Sequence, residues 1–192
     1  MAFTIVQICN LALNEIGQVP IASIDDADNK NARNCKLLYE PTKNKLISTY
    51  KWNFAMARKT LAQLASTPAF GYLYQYQLPS DCLRAWEVYG SNSKWIIEGD
   101  ALLCDDVSIN LRYIKKIDDP NLFTTIFVDC LVLDLSFLLA IPITNDRALQ
   151  ELLLERFRIS ILDAFALNAI EGHLEADDEL EDTSWVKEGR VG

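Results

Sequence analysis

A single histidine, His173, stands in 192 residues, and none of the five cysteines is arranged as CxxC. A cysteine–histidine zinc site of the usual composition cannot be made from these residues, and no metal-ligand spacing appears. A serine or cysteine nucleophile needs a base beside it. His173 lies at the mouth of an acidic stretch and reads as a solvated surface residue rather than the base of a triad. Glycine is also sparse: of seven, no two lie closer than nine residues until Gly189 and Gly192. Loops that cradle phosphate need closely spaced glycines, so no nucleotide motif is present and no cofactor is expected. Cations are few, 18 against 27 carboxylates, with a net charge of −9 and a pI near 4.6. A protein that grips phosphates needs clustered Lys and Arg, which argues against tight nucleic-acid binding. An acidic body still allows DNA to pass without sticking. Met1 to Asn10 lacks a basic segment and a small-residue cleavage site, so we expect no signal peptide and synthesis in the cytoplasm.

Half of the residues are hydrophobic, enough for a chain of this length to bury roughly 70% of its unfolded surface. Cys9, Cys35, Cys82, Cys104 and Cys130 are widely spaced and odd in number, and read as free thiols, several on apolar faces, from a reducing compartment. The run from Leu122 to Ile143 is long and apolar, but contains Asp129 and Asp134, each costing about 2.5–3.5 kcal/mol at a bilayer centre. A helix buried in protein or in a subunit interface is the reading we adopt, with no membrane partner.

Thr4 and Gln7 form a capping box ahead of a helical stripe, Ile5, Ile8, Cys9, Ala12, Leu13 and Ile16, which Gly17 and Pro20 stop. The acidic turn Asp25-Asp26-Ala27-Asp28 precedes a second stripe, Ala32, Cys35, Tyr39, Leu46 and Tyr50. Pro41 within it predicts either a kink or two abutting helices. From Arg58 the period becomes 2: an aromatic strand from Phe70 to Leu78, a return through Arg84, Trp86 and Val88, strands at 95–98 and 101–104 around Gly99-Asp100, and a last one through Val107 to Tyr113. Asp119-Pro120 predicts a third helix start and Pro142 its end; Thr144 predicts the cap of a fourth that closes at Gly172. This order predicts an α+β protein, mainly α. A helical bundle in two halves, 1–57 and 115–172, carries an inserted small antiparallel β domain at 58–114 and an extended acidic C-terminal tail at 173–192.

From Glu171 onward, eight carboxylates face only Lys187 and Arg190, six of the nine net negative charges. Such a segment is extended when alone. Trp185 and Val186 are an isolated apolar pair within it, an anchor for a pocket on a partner or, alternatively, on the chain's own bundle. Asp129 and Asp134, about 140° apart on a helical wheel, suit separate hydrogen-bonded or interfacial roles better than an acid/base pair. Lys30, Arg33, Lys36, Lys43, Lys45, Lys51, Arg58 and Lys59 interleave with Tyr39, Tyr50 and Trp52. The aromatics fall on the apolar stripe, which favours a solvated or subunit-facing surface over a nucleic-acid one.

Two short pieces between Tyr50 and Leu83 have the character of constrained junctions: Lys51-Trp52-Asn53-Phe54-Ala55, where a helix gives way to strands, and Tyr76-Gln77-Leu78-Pro79-Ser80-Asp81-Cys82-Leu83, where a strand turns back. With Leu11 to Pro20 (LALNEIGQVP), Asn31-Ala32-Arg33 and Leu111-Arg112-Tyr113-Ile114, in this order and spacing, they give a chain that resembles the tail tubular protein A and head-to-tail adaptor family of short-tailed bacteriophages. Arg33 to Trp52 exceeds some members by about one helical turn, near Pro41. The resemblance implies a non-enzymatic virion protein: a helical bundle with an inserted β domain, assembled as a ring, usually of twelve subunits, beneath the portal. Its implied partners are the portal protein, the tail nozzle protein and further copies of itself, with DNA passing through the channel unread. Residues 173–192 are then expected to dock on the portal, with Trp185 and Val186 as anchors. The alternatives are a non-enzymatic cytosolic interaction protein that binds a host or phage partner, and an enzyme of small acidic substrates.

Overall fold

Thr4 and Gln7 start the first helix as their spacing predicts. Thr4 Oγ1 accepts from the Gln7 N–H at 3.2 Å, and Gln7 Oε1 accepts from the Thr4 N–H at 2.8 Å. Helix α1 (Ile5–Glu15) buries Ile8, Cys9, Ala12 and Leu13. It ends where Gly17 turns to φ +67°, a conformation that costs glycine little. This is a computed structural model, and it describes residues 3–90 and 93–172.

Helix α2 (Lys30–Thr49) is capped by Asn29, whose Oδ1 accepts from the N–H groups of Asn31 (2.9 Å) and Ala32 (3.3 Å). Pro41 lies inside this helix, which continues past it as one element. Proline leaves the Leu37 carbonyl without its helical donor. Leu37 and Pro41 are both exposed, so water reaches the break.

Helix α3 (Thr125–Thr144) begins later than Asp119-Pro120 predicts. Residues Pro120–Leu122 form a separate 3-10 turn, and Thr124 Oγ1 caps the helix proper through the Phe127 N–H. It also runs past Pro142, which takes away only one bond in the final turn, and stops at left-handed Asn145. Helix α4 (Arg147–Gly172) is capped by Asp146, whose Oδ1 accepts from the Leu149 N–H at 3.0 Å. Thr144 instead accepts from the Asp146 N–H and orients that cap. Helix α3 packs against α1 and α4. Its Phe127, Cys130, Leu131, Leu135 and Leu139 are fully buried, and Ser136 Oγ lies within hydrogen-bond reach of Val132 O and Ala12 O. Helix α3 is long and apolar enough to cross a membrane, but most of it is covered by the protein.

The strands form two three-stranded antiparallel sheets. The first has the order β1 (Met56–Thr60), β6 (Asn110–Lys115), β3 (Cys82–Tyr89); the second has β2 (Tyr74–Gln77), β5 (Ala101–Cys104), β4 (Trp95–Glu98). Between them Tyr76, Leu102, Cys104, Ile109, Leu111 and Tyr113 make a closed core. The aromatic strand is shorter than its alternation predicts. Gly71 adopts φ +86° and Phe70 is 87% exposed, so the stretch from Phe70 to Leu73 does not join a strand ladder, although the Leu73 N–H donates to Asp105 Oδ1 at 2.9 Å. Strand β1, with little apolar alternation, is held by pairing Met56–Thr60 with Ile114–Asn110.

The protein is thus α+β, mainly α, with the strands inserted between helices. Among the described residues its compact units comprise 3–42 with 123–172, and 43–90 with 93–122. The change of periodicity places the insertion at 58–114; the compact unit is wider at both ends, because the last turns of α2 and the segment from Lys116 to Leu122 belong with the strands.

Candidate functional site

The sequence pieces with junction character are joints held by side chains. In the first unit Asn10 closes the loop after α1: its Oδ1 accepts from the Ile21 N–H at 2.8 Å and its Nδ2 donates to Ile21 O at 3.0 Å. Asn31 Nδ2 donates to Val19 O at 3.3 Å. These three bonds fix the end of the Leu11–Pro20 segment to a helix. Next to them, the buried thiols of Cys9 and Cys35 are hydrogen-bonded, and that bond together with burial pushes Cys9 up.

In the second unit Trp52 is 1% exposed, and its indole N–H donates to Leu46 O at 3.0 Å, satisfying a carbonyl near the C-terminus of α2. The chain then makes one 3-10 turn, Asn53–Ala55, and enters β1. The Pro79 turn is closed from Cys82 N–H to Pro79 O at 2.9 Å and tied across to β6 by Asp81. Asp81 O accepts from the Lys116 N–H at 2.7 Å, its Oδ1 accepts from the Tyr113 hydroxyl at 3.2 Å, and Lys115 Nζ stands 3.7 Å from Oδ2. Burial first, and then the Asp81 carboxylate, push the Tyr113 phenol up to about 12.

A cleft of about 720 Å³ opens beside this turn, lined among others by Lys59, Gln77, Ser80, Cys82 and Asp100. Its polar groups do not assemble into a reaction centre. Gln77 Nε2 holds both the backbone and the carboxylate oxygen of Asp100 at 3.1 Å. The Cys82 thiol is pushed up by burial, with the Asp81 carboxylate adding to it, so it stays protonated and a poor nucleophile.

Asp129 and Asp134 are not paired carboxylates: Asp129 is exposed, whereas Asp134 is 3% exposed among the packed residues of α3. The cations of the basic stretch differ in their surroundings. Lys36 pairs with Asp25 at 2.8 Å, while Lys43 is fully buried with its Nζ 3.3 Å from Asp118. Lys116 and then Lys43 hold the Asp118 carboxyl below its ordinary value. Four cysteines are buried and Cys82 is half-buried; all five are free thiols. His173, Trp185 and Val186 lie outside the described residues.

A second opening, about 420 Å³, runs along α3 and α4 between Ile126, Asp129, Leu133, Arg156, Ile159, Ser160 and Asp163. Arg156 is committed to Glu15 and Ser160 to the Cys130 sulfur at 3.3 Å. Neither Asp129 nor Asp163 makes a hydrogen bond or ion pair among the described residues. Farther along α4, Leu152, Leu162, Leu167 and Ile170 are 52–67% exposed. Sequence reasoning missed this face because the fourth helix was read only for its start at Thr144 and its close at Gly172. Its exposed leucines and isoleucines were the available signal.

No protein-family model matches the chain, and no curated protein matches it either.

Proposed function

We propose that the chain is a structural virion protein, a head-to-tail adaptor whose copies form a ring that joins the portal to the tail nozzle and lines part of the DNA ejection channel. The observation that carries it is the position of the pieces on which the resemblance rests. Leu11–Pro20, Trp52-Asn53-Phe54 and Leu78-Pro79-Ser80-Asp81 each end at a side-chain clamp, by Asn31 with Asn10, by the Trp52 indole and by Asp81. Residues used in this way define the shape of a building block. An enzyme of small acidic substrates would need convergent reactive groups, and in the two openings described above they are committed or unmatched.

In this reading the acidic composition keeps DNA moving through the channel, since like charges repel. Trp185 and Val186, in residues 173–192, are the proposed anchors on the portal. Negative-stain microscopy of the full chain, alone and mixed with the portal protein, tests the assignment. Rings, or an added layer on portal particles, are expected. A monomer that ignores the portal overturns it in favour of an interaction protein of another kind. Deleting residues 173–192 and finding unchanged portal binding removes the anchor role alone.

A further inference from the structure

The two compact units differ in charge. Residues 43–122 carry ten cations and eight carboxylates, whereas the described residues of the helical unit carry six cations and twelve carboxylates. Within 43–122 the division is sharper. The first sheet with its flanking segments, residues 43–60, 79–89 and 110–122, holds nine cations and four carboxylates. The remainder holds Lys94 against Glu98, Asp100, Asp105 and Asp106.

The register shows where that positive charge is displayed. Ala57, Leu111, Tyr113, Ala85 and Val88 of the first sheet face the core shared with the second sheet. The alternate residues therefore face outward. Arg58, Arg112 and Glu87 form one row across β1, β6 and β3, and Thr60, Asn110 and Tyr89 form the next. All six but Arg112 are exposed. Arg84, also exposed, stands one row away on β3; its guanidinium lies 5.4 Å over the Trp86 ring and reaches the neutral Ser48 carbonyl at 3.4 Å. Arg58 is directly opposite Arg112, and like charges so placed repel. Glu87, 3.9 Å from Arg112, is the one carboxylate among the outward residues of the three strands. Of the other three carboxylates in these segments, Asp81 stands by Lys115, Asp118 by Lys43 and Lys116, and Asp119 accepts from Asn121.

An anion laid on this face relieves the Arg58–Arg112 repulsion, and the chain has one to offer. Glu175 to Asp182 holds six carboxylates and no cation in eight residues. Eight residues reach up to about 26 Å, enough to cross three strands about 5 Å apart. The helical unit, with twice as many carboxylates as cations, repels such a segment.

We infer that residues 175–182 of one copy lie across the Arg58, Arg112 and Arg84 face of a second copy, leaving Trp185 and Val186 beyond them for the portal. This rests on the ring reading and gives it a contact. Every copy then gives a tail and receives one, a heterologous contact that propagates from copy to copy and closes into a ring when the rotation allows.

The test uses as receptor the full chain with the six carboxylates of 175–182 changed to the matching amides, so that its own tail does not compete. The probe is a fluorescently labelled peptide of residues 173–183, read by anisotropy. It is expected to bind saturably, and about tenfold or more weakly when the receptor also carries Arg58→Glu with Arg84→Glu. Circular dichroism and a thermal melt check the fold, and Arg58→Gln with Arg84→Gln replaces the reversed pair if that pair unfolds the chain. In sedimentation velocity up to about 1 mM, which populates even a contact of millimolar Kd, the parent is expected to associate and the receptor to lose that association. A peptide that does not bind, or that binds with and without the arginines alike, overturns the contact, as does parent association that the receptor retains. Peptide binding with a parent that stays monomeric assigns the face to the chain's own tail and overturns the second copy as its source. A single-stranded thymidine oligonucleotide that binds the face more tightly than the peptide and displaces it assigns the face to nucleic acid and also overturns the contact. In each of these cases the portal-mixing experiment judges the ring reading separately.

Discussion

The Tyr113 hydroxyl donates to Asp81 Oδ1 at 3.2 Å, joining the middle of β6 to the turn that precedes β3. Tyr113 is 5% exposed, and burial and the carboxylate together raise its phenol to about 12, above the ordinary value of 10.0. A raised folded-state value means stability that is complete below pH 10 and lost as pH rises through 12. Stability of the parent should therefore fall across that interval, and Tyr113→Phe should remove that share of the slope. At neutral pH the Tyr113→Phe and Asp81→Ala pair should show a coupling of about 1 kcal/mol in a double-mutant cycle by urea unfolding. Additive effects would mean the bond contributes nothing.

At the acid end the informative pair is Lys43 with Asp118. The carboxyl is held low by Lys116 and Lys43, so its contribution is present above the ordinary carboxylate range and disappears as pH falls through the depressed value. Asp118→Asn should cost about 1 kcal/mol or less at pH 7, because the carboxylate is mostly exposed and screened. The gap between parent and variant should close when melts are repeated in increasingly acid buffer. A gap that widens in acid would contradict the assigned direction.

Trp52 should be the most sensitive single joint. Trp52→Ala removes a fully buried ring and should cost about 3–5 kcal/mol. Trp52→Phe keeps much of the packing but leaves Leu46 O without its donor, at about 1–3 kcal/mol. Chemical denaturation of the three proteins orders them, and a Phe variant as stable as the parent would show that the indole N–H is dispensable.

Pro41 offers a gain. It sits on the exposed side of an unbroken α2, so Pro41→Ala restores a backbone donor to Leu37 O and a better helix former. We expect about 1–3 kcal/mol of stabilisation, read as a higher melting temperature.

Local chemistry made much of the fold legible. The Thr4–Gln7 box, the Gly17 stop and the hairpin at Gly99 follow from residues a few positions apart, and the structure places all three as expected. Caps with competitors nearby were harder. Asp146 does the work that Thr144 was expected to do, since hydrogen-bond geometry chooses among adjacent Asx and Thr side chains. Strand β1 was illegible for another reason: Met56–Thr60 is a strand because β6 pairs with it, and pairing over such a separation leaves no periodicity in the segment itself. The α3–α4 face was hidden likewise, for Asp129 and Asp163 meet only once two helices have packed.

The unequal burial of the cysteines has a practical side. Cys9, Cys35, Cys104 and Cys130 are closed off inside their units, and Cys82 alone is partly open, at the cleft beside the Pro79 turn. Cys82 is therefore the first thiol a reagent reaches, and a slow one, because burial keeps it protonated. Alkylation followed by mass spectrometry should find Cys82 modified first, and only in alkaline buffer, while the other four thiols stay intact until the chain unfolds.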